Sequence, residues 1–209
     1  MWLFITNFGD SSVMLPCAVL IALWLLAGLS ARAALLWLLL FGAASLSVAL
    51  SKIAFFGWGL GIPRLDFTGF SGHSMLVGSV LPVLGWLLAG RARPSLRLTA
   101  AALGALCALL IAVSRVVLGY HSISEVVTGL PIGYAASGSL LWLLRGQEVN
   151  LKPRQAALGA SLLLLPLLLL HGTNAPTQRV LERLAVKFAD EQNPWTRAHQ
   201  RARVAPLQN

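Results

Sequence analysis

Two histidines with polar neighbours interrupt an otherwise apolar sequence, and the residues around them could bind an anion. Residues 66–75, DFTGFSGHSM, contain Ser71, Gly72 and His73 just before an apolar run. The start of a helix offers unpaired backbone N–H groups and the positive end of the helix dipole. Glycine also lets an anion approach the backbone closely. We therefore expect an anion-binding site here, with His73 beside it as a proton donor.

The second histidine lies in residues 114–125, SRVVLGYHSISE. His121 and Glu125 are four residues apart and would share one face of a helix. A carboxylate there can keep a proton on one imidazole nitrogen and leave the other nitrogen to attack. Glu125 would equally complete a capping box by binding the backbone N–H of Ser122. Arg115 favours the catalytic interpretation, because a helix cap needs no cation.

Membrane-spanning helices are the elements predicted to carry these residues. Of the 209 residues, 57% are hydrophobic and only 11% are charged, whereas soluble domains average about 25% charged residues. A bilayer-spanning helix needs roughly 20 apolar residues. Charge-poor stretches of this kind occur at 13–30, 33–51, 72–90, 96–114, 122–144 and 155–171. The sequence therefore predicts an all-α fold, a bundle of six transmembrane helices.

Two further features of the sequence concern the packing of the helices and the C-terminal tail. Gly129 and Gly133, spaced by four, would allow two helices to approach closely. We predict a transmembrane catalytic domain over residues 1–172 and a tail over 173–209. Within the tail, apolar residues of 176–190 recur on one helical face, which is typical of an amphipathic helix on a membrane surface. Residues 192–209 are expected to be poorly ordered.

The distribution of basic residues predicts how the chain is oriented in the membrane and which kind of partner it binds. With the N-terminus outside, the cytoplasmic loops would carry seven Lys and Arg residues and the outer loops three. The positive-inside rule favours this orientation, which puts both histidines on the outer side. The net charge of +9 is spread over loops and tail without a basic stripe that alternates with aromatic residues. We therefore expect a membrane partner and no nucleic acid.

The two polar segments resemble motifs of the phosphatidic acid phosphatase type 2 family, within the vanadium haloperoxidase-like superfamily. That family carries Lys-x6-Arg-Pro, then Pro-Ser-Gly-His, then Ser-Arg-x5-His-x3-Asp. Here residues 70–73 read Phe-Ser-Gly-His, and residues 114–125 read Ser-Arg-x5-His-x3-Glu. The first motif is stretched, because Arg64 follows Lys52 by twelve positions. The resemblance covers residues 50–145, roughly.

This resemblance implies an integral-membrane phosphatase of lipid phosphates or pyrophosphates. In such an enzyme His121 attacks phosphorus and forms a phosphohistidine, Glu125 orients His121, and His73 protonates the leaving oxygen. The phosphate ligands that the match implies are Lys52, Arg64, Ser71, Gly72 and Arg115. Too few carboxylates lie in these segments for a two-metal site, so we expect neither a metal nor a cofactor.

The substrate and the reaction type stay open at this stage. Small bacterial enzymes that resemble this chain recycle undecaprenyl pyrophosphate, which makes that lipid the favoured substrate. The implied location is the bacterial inner membrane, with the active site on its outer face. Phosphatidylglycerophosphate, phosphatidic acid and lipid A phosphates are alternative substrates. Alternative functions are a lipid phosphotransferase that uses the same phosphohistidine and a non-catalytic lipid-binding membrane protein.

Overall fold

The structure of the chain, a computed structural model, describes residues 1–147, 158–159, 161–162, 165–166, 169–173, 175–190 and 192–204. Over these residues the fold is all-helical, as predicted, and an isolated antiparallel bridge joins Ile62 to Phe67. The helices whose bounds are described are α1 (Trp2–Asn7), α2 (Ser11–Gly28), α3 (Ala31–Trp58), α4 (Gly72–Leu88), α5 (Pro94–Val117), α6 (Ile123–Leu143), α7 (Thr177–Ala189) and α8 (Arg197–Val204).

Four helices in the described part of the chain are long and apolar enough to cross a membrane, namely α2, α3, α5 and α6. The apolar helix α4 has 17 residues, which at 1.5 Å per residue give about 25 Å, against a hydrocarbon core of about 30 Å. The sixth predicted span, 155–171, lies partly outside the described residues. Those of its residues that are described are helical up to residue 169.

Capping residues fix the helix ends that meet on one side of the bundle. Asp10 precedes α2 and accepts a hydrogen bond from the backbone N–H of Ser12 at 2.8 Å. Ser71 and Ser122 precede α4 and α6, and each accepts from the backbone N–H three residues later. Gly59 ends α3 at a φ of 66°, which glycine adopts without steric cost. Because successive helices alternate in direction, the starts of α2, α4 and α6 lie beside the ends of α3 and α5.

The central helix α4 packs tightly against α6, and glycines make this contact possible. A Cβ at Gly129 would lie 2.5 Å from the carbonyl oxygen of Ser71, and one at Gly133 would lie 2.3 Å from that of Met75. No larger residue fits at such distances, so the close approach predicted from the glycine spacing is present. The backbone N–H of Ser71 also donates to the carbonyl oxygen of Glu125 at 3.1 Å. The starts of the two helices are therefore fixed relative to each other.

The first tail helix, α7, falls on the segment predicted to be amphipathic. Its buried side packs Leu181 and Ala185 against Phe55 and Phe56 near the end of α3. Three further apolar side chains, Val180, Leu184 and Phe188, are exposed. An exposed apolar stripe beside a transmembrane bundle is suited to the membrane interface.

Residues 192–204 differ from the expectation of a poorly ordered tail, because they include α8 and pack against the bundle. The backbone N–H of Trp195 donates to the carbonyl oxygen of Phe56 at 2.8 Å. Gln200 is buried, and its Nε2 donates to the carbonyl oxygen of Phe67 at 3.1 Å. Residues of the tail thus donate hydrogen bonds to backbone carbonyl oxygens of the bundle. Hydrophobic periodicity in the sequence does not predict such contacts.

Candidate active site

His121 and Glu125 form a hydrogen-bonded pair at the start of α6. His121 Nδ1 lies 2.6 Å from Glu125 Oε2, and the carboxylate is fully buried. Glu125 Oε1 accepts from the backbone N–H of Thr68 at 2.9 Å and also from the Thr68 hydroxyl. One of the two hydrogen bonds of the predicted capping box is present, because the Ser122 hydroxyl oxygen accepts from the Glu125 N–H. The Glu125 side chain contacts His121 in place of the Ser122 N–H. This geometry keeps a proton on Nδ1 and leaves Nε2 with an unshared electron pair.

His121 lies between α5 and α6, where its surroundings disfavour a positive charge. Burial lowers the pKa of its imidazole, the Glu125 hydrogen bond opposes that effect, and the positive charge of Lys52 lowers it further, to about 4. The imidazole is therefore neutral over the physiological pH range. A neutral imidazole is the form that can attack phosphorus.

His73, at the start of α4, faces His121 and pairs with Asp10. The two imidazole rings have their centroids 6.4 Å apart, and His73 Nε2 lies 3.4 Å from Asp10 Oδ2. Burial alone would raise the pKa of Asp10, but hydrogen bonds from His73 and from backbone N–H groups lower it well below its usual value. Asp10 is therefore a carboxylate at neutral pH and can accept a hydrogen bond from the His73 imidazole.

Lys52 and Arg115 are the cations beside the two histidines. Lys52 Nζ lies 5.8 Å from the centroid of the Phe56 ring. Arg115 Nη1 donates to the Thr6 hydroxyl at 3.1 Å, and its guanidinium carbon lies 4.5 Å from the centroid of the Tyr120 ring. Arg115 Nε is buried without a hydrogen-bond partner among the described residues. The guanidinium therefore keeps donor capacity for an anion.

A cavity of about 380 Å³ connects these polar groups to an apolar wall. The polar end is lined by Lys52, Gly72, His73, Arg115 and His121. The apolar part continues along α2, α3, α4 and α7, and its lining includes Leu15, Val48, Ala49, Met75, Leu76, Val180 and Leu181. Val48 lies one helical turn before Lys52, so the apolar part runs from the polar end toward the middle of the bundle. The space suits a ligand with an anionic head and an apolar body.

Two of the sequence-predicted phosphate ligands do not line this cavity. Ser71 is fully buried, and its hydroxyl caps α4 and accepts from the Ser74 hydroxyl at 2.9 Å. Arg64 is exposed on a single-turn 3₁₀ helix, Pro63–Leu65. The bridge between Ile62 and Phe67 closes this turn, and Arg64 is absent from the cavity lining. The structure thus brings together His121, Glu125, His73, Lys52, Gly72 and Arg115, and it leaves out Arg64.

Sequence reasoning missed Asp10, Thr68 and Arg197. Arg197 Nη2 lies 2.7 Å from Glu125 Oε1 and 2.8 Å from Oε2. The sequence could have indicated Asp10 as a site residue, because few acidic residues lie at the start of a span and Asp10 does so on the same side as both histidines. Nothing in the sequence distinguishes Arg197 as a site residue, since the tail contains several basic residues at comparable spacing.

No cluster of three or more His, Cys, Asp or Glu side chains that could hold a metal ion occurs in the part of the chain that the structure describes. The carboxylates near the cavity, Asp10 and Glu125, are each paired with a histidine. The donors in the cavity lining include two cations and two imidazoles, which can bind anions and transfer protons, and the lining also contains Ser11, Ser45, Thr177 and Gln178.

Comparison with known proteins identifies the family to which the chain belongs. The sequence pattern of the PAP2 superfamily matches residues 63–148. A Klebsiella pneumoniae protein described as "Uncharacterized 22.5 kDa protein in cps region" is 42% identical over 202 residues, which cover 94% of this chain and 95% of the relative. No solved structure matches the chain significantly. The chain therefore belongs to the PAP2 superfamily, a superfamily of phosphatases that act on phosphate esters, and it is a multi-pass membrane protein.

Proposed function

We propose that the protein is a lipid phosphatase that removes phosphate from lipid monophosphates or pyrophosphates. The observation that carries this proposal is the cavity, whose polar end holds two histidines and two cations and whose remaining wall is mostly apolar. A phosphate group would occupy the polar end, and the first part of a lipid chain would lie along the apolar wall. The rest of the chain would extend into the bilayer.

In the proposed mechanism His121 Nε2 attacks phosphorus while Glu125 holds the proton on Nδ1. The new N–P bond forms as the bond from phosphorus to the leaving oxygen breaks, and His73 gives its proton to that oxygen. Water then attacks the phosphohistidine, His73 takes the proton from this water, and inorganic phosphate leaves. Asp10 supports this role of His73, because a neighbouring carboxylate stabilises the protonated imidazole that donates in the first step and forms again in the second.

The non-bridging phosphate oxygens would be held by the charges and donors around the polar end. Lys52 and Arg115 supply positive charge, and the N–H groups at the start of α4 near Gly72 supply donors. Arg64 and Ser71 stay predictions from the family motifs. For Arg64 to contact phosphate, the Pro63–Leu65 turn would have to move.

Undecaprenyl pyrophosphate is the proposed substrate. Supporting this choice are the apolar wall of the cavity and the small extent of the described chain outside the helical bundle, which favours a lipid with a small head group. We place the protein in the bacterial inner membrane with the site on the outer face, on the basis of the loop charges.

The test is release of inorganic phosphate by the purified protein in detergent micelles. The panel contains undecaprenyl pyrophosphate, phosphatidylglycerophosphate, phosphatidic acid and water-soluble phosphate esters, each with and without an acceptor lipid. Wild-type protein should hydrolyse at least one lipid phosphate, and His121→Ala should lower kcat on the order of 10³-fold or more. His199→Ala is the matched control, because His199 is exposed and lies outside the cavity lining.

The other possible outcomes of this panel would each indicate a different function or mechanism. Transfer of phosphate to the acceptor lipid in place of water would identify a phosphotransferase. A wild-type protein that binds these lipids but releases no phosphate would refute the proposal in favour of a lipid-binding function. A His121→Ala variant whose activity stays within roughly tenfold of wild type would exclude the phosphohistidine mechanism.

A further inference from the structure

Arg197 connects the C-terminal tail to the carboxylate that holds His121. Its Nη2 lies across both oxygens of Glu125, at 2.7 and 2.8 Å. Its Nη1 donates to the carbonyl oxygen of Asp66 at 3.0 Å and also to the Asp66 carboxylate. The guanidinium therefore bridges a fully buried carboxylate and a partly exposed one. A planar guanidinium with several donors holds such an arrangement far more rigidly than an ammonium group would.

Specific contacts hold Arg197 in this position. It is the first residue of α8. The hydrogen bond from the Trp195 N–H to the Phe56 carbonyl oxygen holds the chain two residues before it, and Gln200, within α8, is buried and donates to the carbonyl oxygen of Phe67. Asp66 adopts a φ of 49°, in the left-handed region that non-glycine residues seldom occupy. This conformation directs both its carbonyl and its carboxylate oxygens to Arg197.

The hydrogen bonds around Glu125 explain what Arg197 does there. Oε1 accepts from Thr68 and from Arg197, whereas Oε2 accepts from His121 and from Arg197. With donors on both oxygens the carboxylate cannot rotate, so Oε2 stays aligned with His121 Nδ1. The positive charge of Arg197 also keeps Glu125 ionised in a buried position.

We infer that Arg197 is a positioning residue of this enzyme, through which the docked tail fixes Glu125 and, by way of Glu125, the nucleophile His121. This inference rests on the proposed function. Arg197 has two effects on His121. It holds the carboxylate in the orientation that His121 needs, and it offsets the negative charge that would otherwise favour a positively charged imidazole. The nucleophile is thereby kept oriented and neutral.

The test compares Arg197→Ala with Arg197→Lys, using the full-length protein and the phosphate-release assay. Arg197→Ala should lower kcat by about 10- to 100-fold, the usual effect of removing a group that orients a catalytic ligand. KM should change by less than about threefold, because Arg197 does not line the cavity. Arg197→Lys should recover part of kcat, since it restores the charge but not the planar contact.

The pH dependence distinguishes positioning from a merely structural role. Without Arg197 the imidazolium form of His121 is less disfavoured, so the acid limb of kcat/KM should move up by about one pH unit. Carbethoxylation of His121 by diethylpyrocarbonate, followed by mass spectrometry, measures the same ionisation without any substrate. The shift should therefore appear even if the lipid substrate is misassigned.

Arg201→Ala is the matched control, because Arg201 lies one turn later on α8 and, among the described residues, pairs with Asp66 and not with Glu125. It should keep kcat within about threefold of wild type. The inference is overturned if Arg197→Ala has wild-type kcat, if both arginine variants lose activity equally, or if activity falls without movement of the His121 titration. If Arg197→Ala does not fold, Arg197→Lys decides, and wild-type kcat and pH profile in that folded variant would refute a planar positioning contact. A wild-type protein without phosphatase activity would instead refute the proposed function, and the carbethoxylation profiles of the variants would still test the inference.

Discussion

Replacing Glu125 by glutamine perturbs the nucleophile pair while leaving its size almost unchanged. The wild-type carboxylate accepts from His121 at 2.6 Å, from the Thr68 N–H at 2.9 Å and from Arg197 at 2.7 Å. Glutamine carries no charge, and its amide nitrogen cannot accept a hydrogen bond. If its oxygen stays with Thr68, its NH₂ group faces His121 Nδ1. That contact stabilises the tautomer with the proton on Nε2, which blocks the attacking nitrogen.

The magnitude follows from the charge that develops on His121. When Nε2 bonds to phosphorus and Nδ1 keeps its proton, the imidazole becomes positive beside the carboxylate. Two opposite charges about 4 Å apart attract by about 4 kcal/mol at an effective dielectric constant of 20. Such an attraction corresponds to about 10³-fold in rate. The buried Glu125 makes this low effective dielectric constant appropriate, and the unfavourable tautomer adds to the loss.

The assay is initial-rate phosphate release in detergent, at saturating substrate, for wild type and Glu125→Gln. We expect kcat to fall on the order of 10³-fold, with thermal unfolding measured in parallel to establish that the variant is folded. Asp190→Asn is the control, because Asp190 is exposed at the end of α7 and does not line the cavity. A folded Glu125→Gln variant with kcat within about tenfold of wild type would refute the assigned role of Glu125.

Three further predictions follow from the same geometry. Because burial lowers the pKa of His121 to about 4, kcat/KM should fall on the acid side near that pH once the ionisation of the substrate phosphate, pKa about 6, is corrected for; an acid limb at the usual histidine value would contradict it. Asp10→Asn should slow lipid phosphates more than esters with good leaving groups, as His73→Ala should, because both changes weaken the proton donor; equal losses on both substrate types would remove Asp10 from that role. EDTA should leave activity unchanged and orthovanadate should inhibit by mimicking five-coordinate phosphorus; activity lost in EDTA and restored by Mg²⁺ would show that a metal is needed.

The all-helical fold and the contact between His121 and Glu125 could be predicted because both depend on local periodicity. Apolar stretches of spanning length indicate helices whatever their neighbours are, and the spacing of four places His121 and Glu125 on one face. Gly129 and Gly133 likewise indicated a tight helix contact. Each of these signals is contained within a single helix.

The contacts of Asp10, Thr68 and Arg197 could not be predicted in the same way, because each joins residues far apart in the sequence. Asp10 lies 63 residues from His73, Thr68 lies 57 from Glu125, and Arg197 lies 72 from Glu125. Which polar groups meet at such separations is decided by the packing of the helices and by the docking of the tail. The carboxylate of Asp66, which lies two residues after Arg64 in the sequence, pairs with Arg197 and Arg201 of the tail.

The arrangement of charges explains why an arginine from the tail suits this site. A buried carboxylate needs a cation or strong donors nearby, and a phosphate group needs cations of its own. Asp10 pairs with His73, and Glu125 pairs with His121 and Arg197. Neither carboxylate forms an ion pair with Lys52 or Arg115 in the described part of the chain. Because Arg197 serves Glu125 from outside the cavity, both of these cations stay available for the substrate at its polar end.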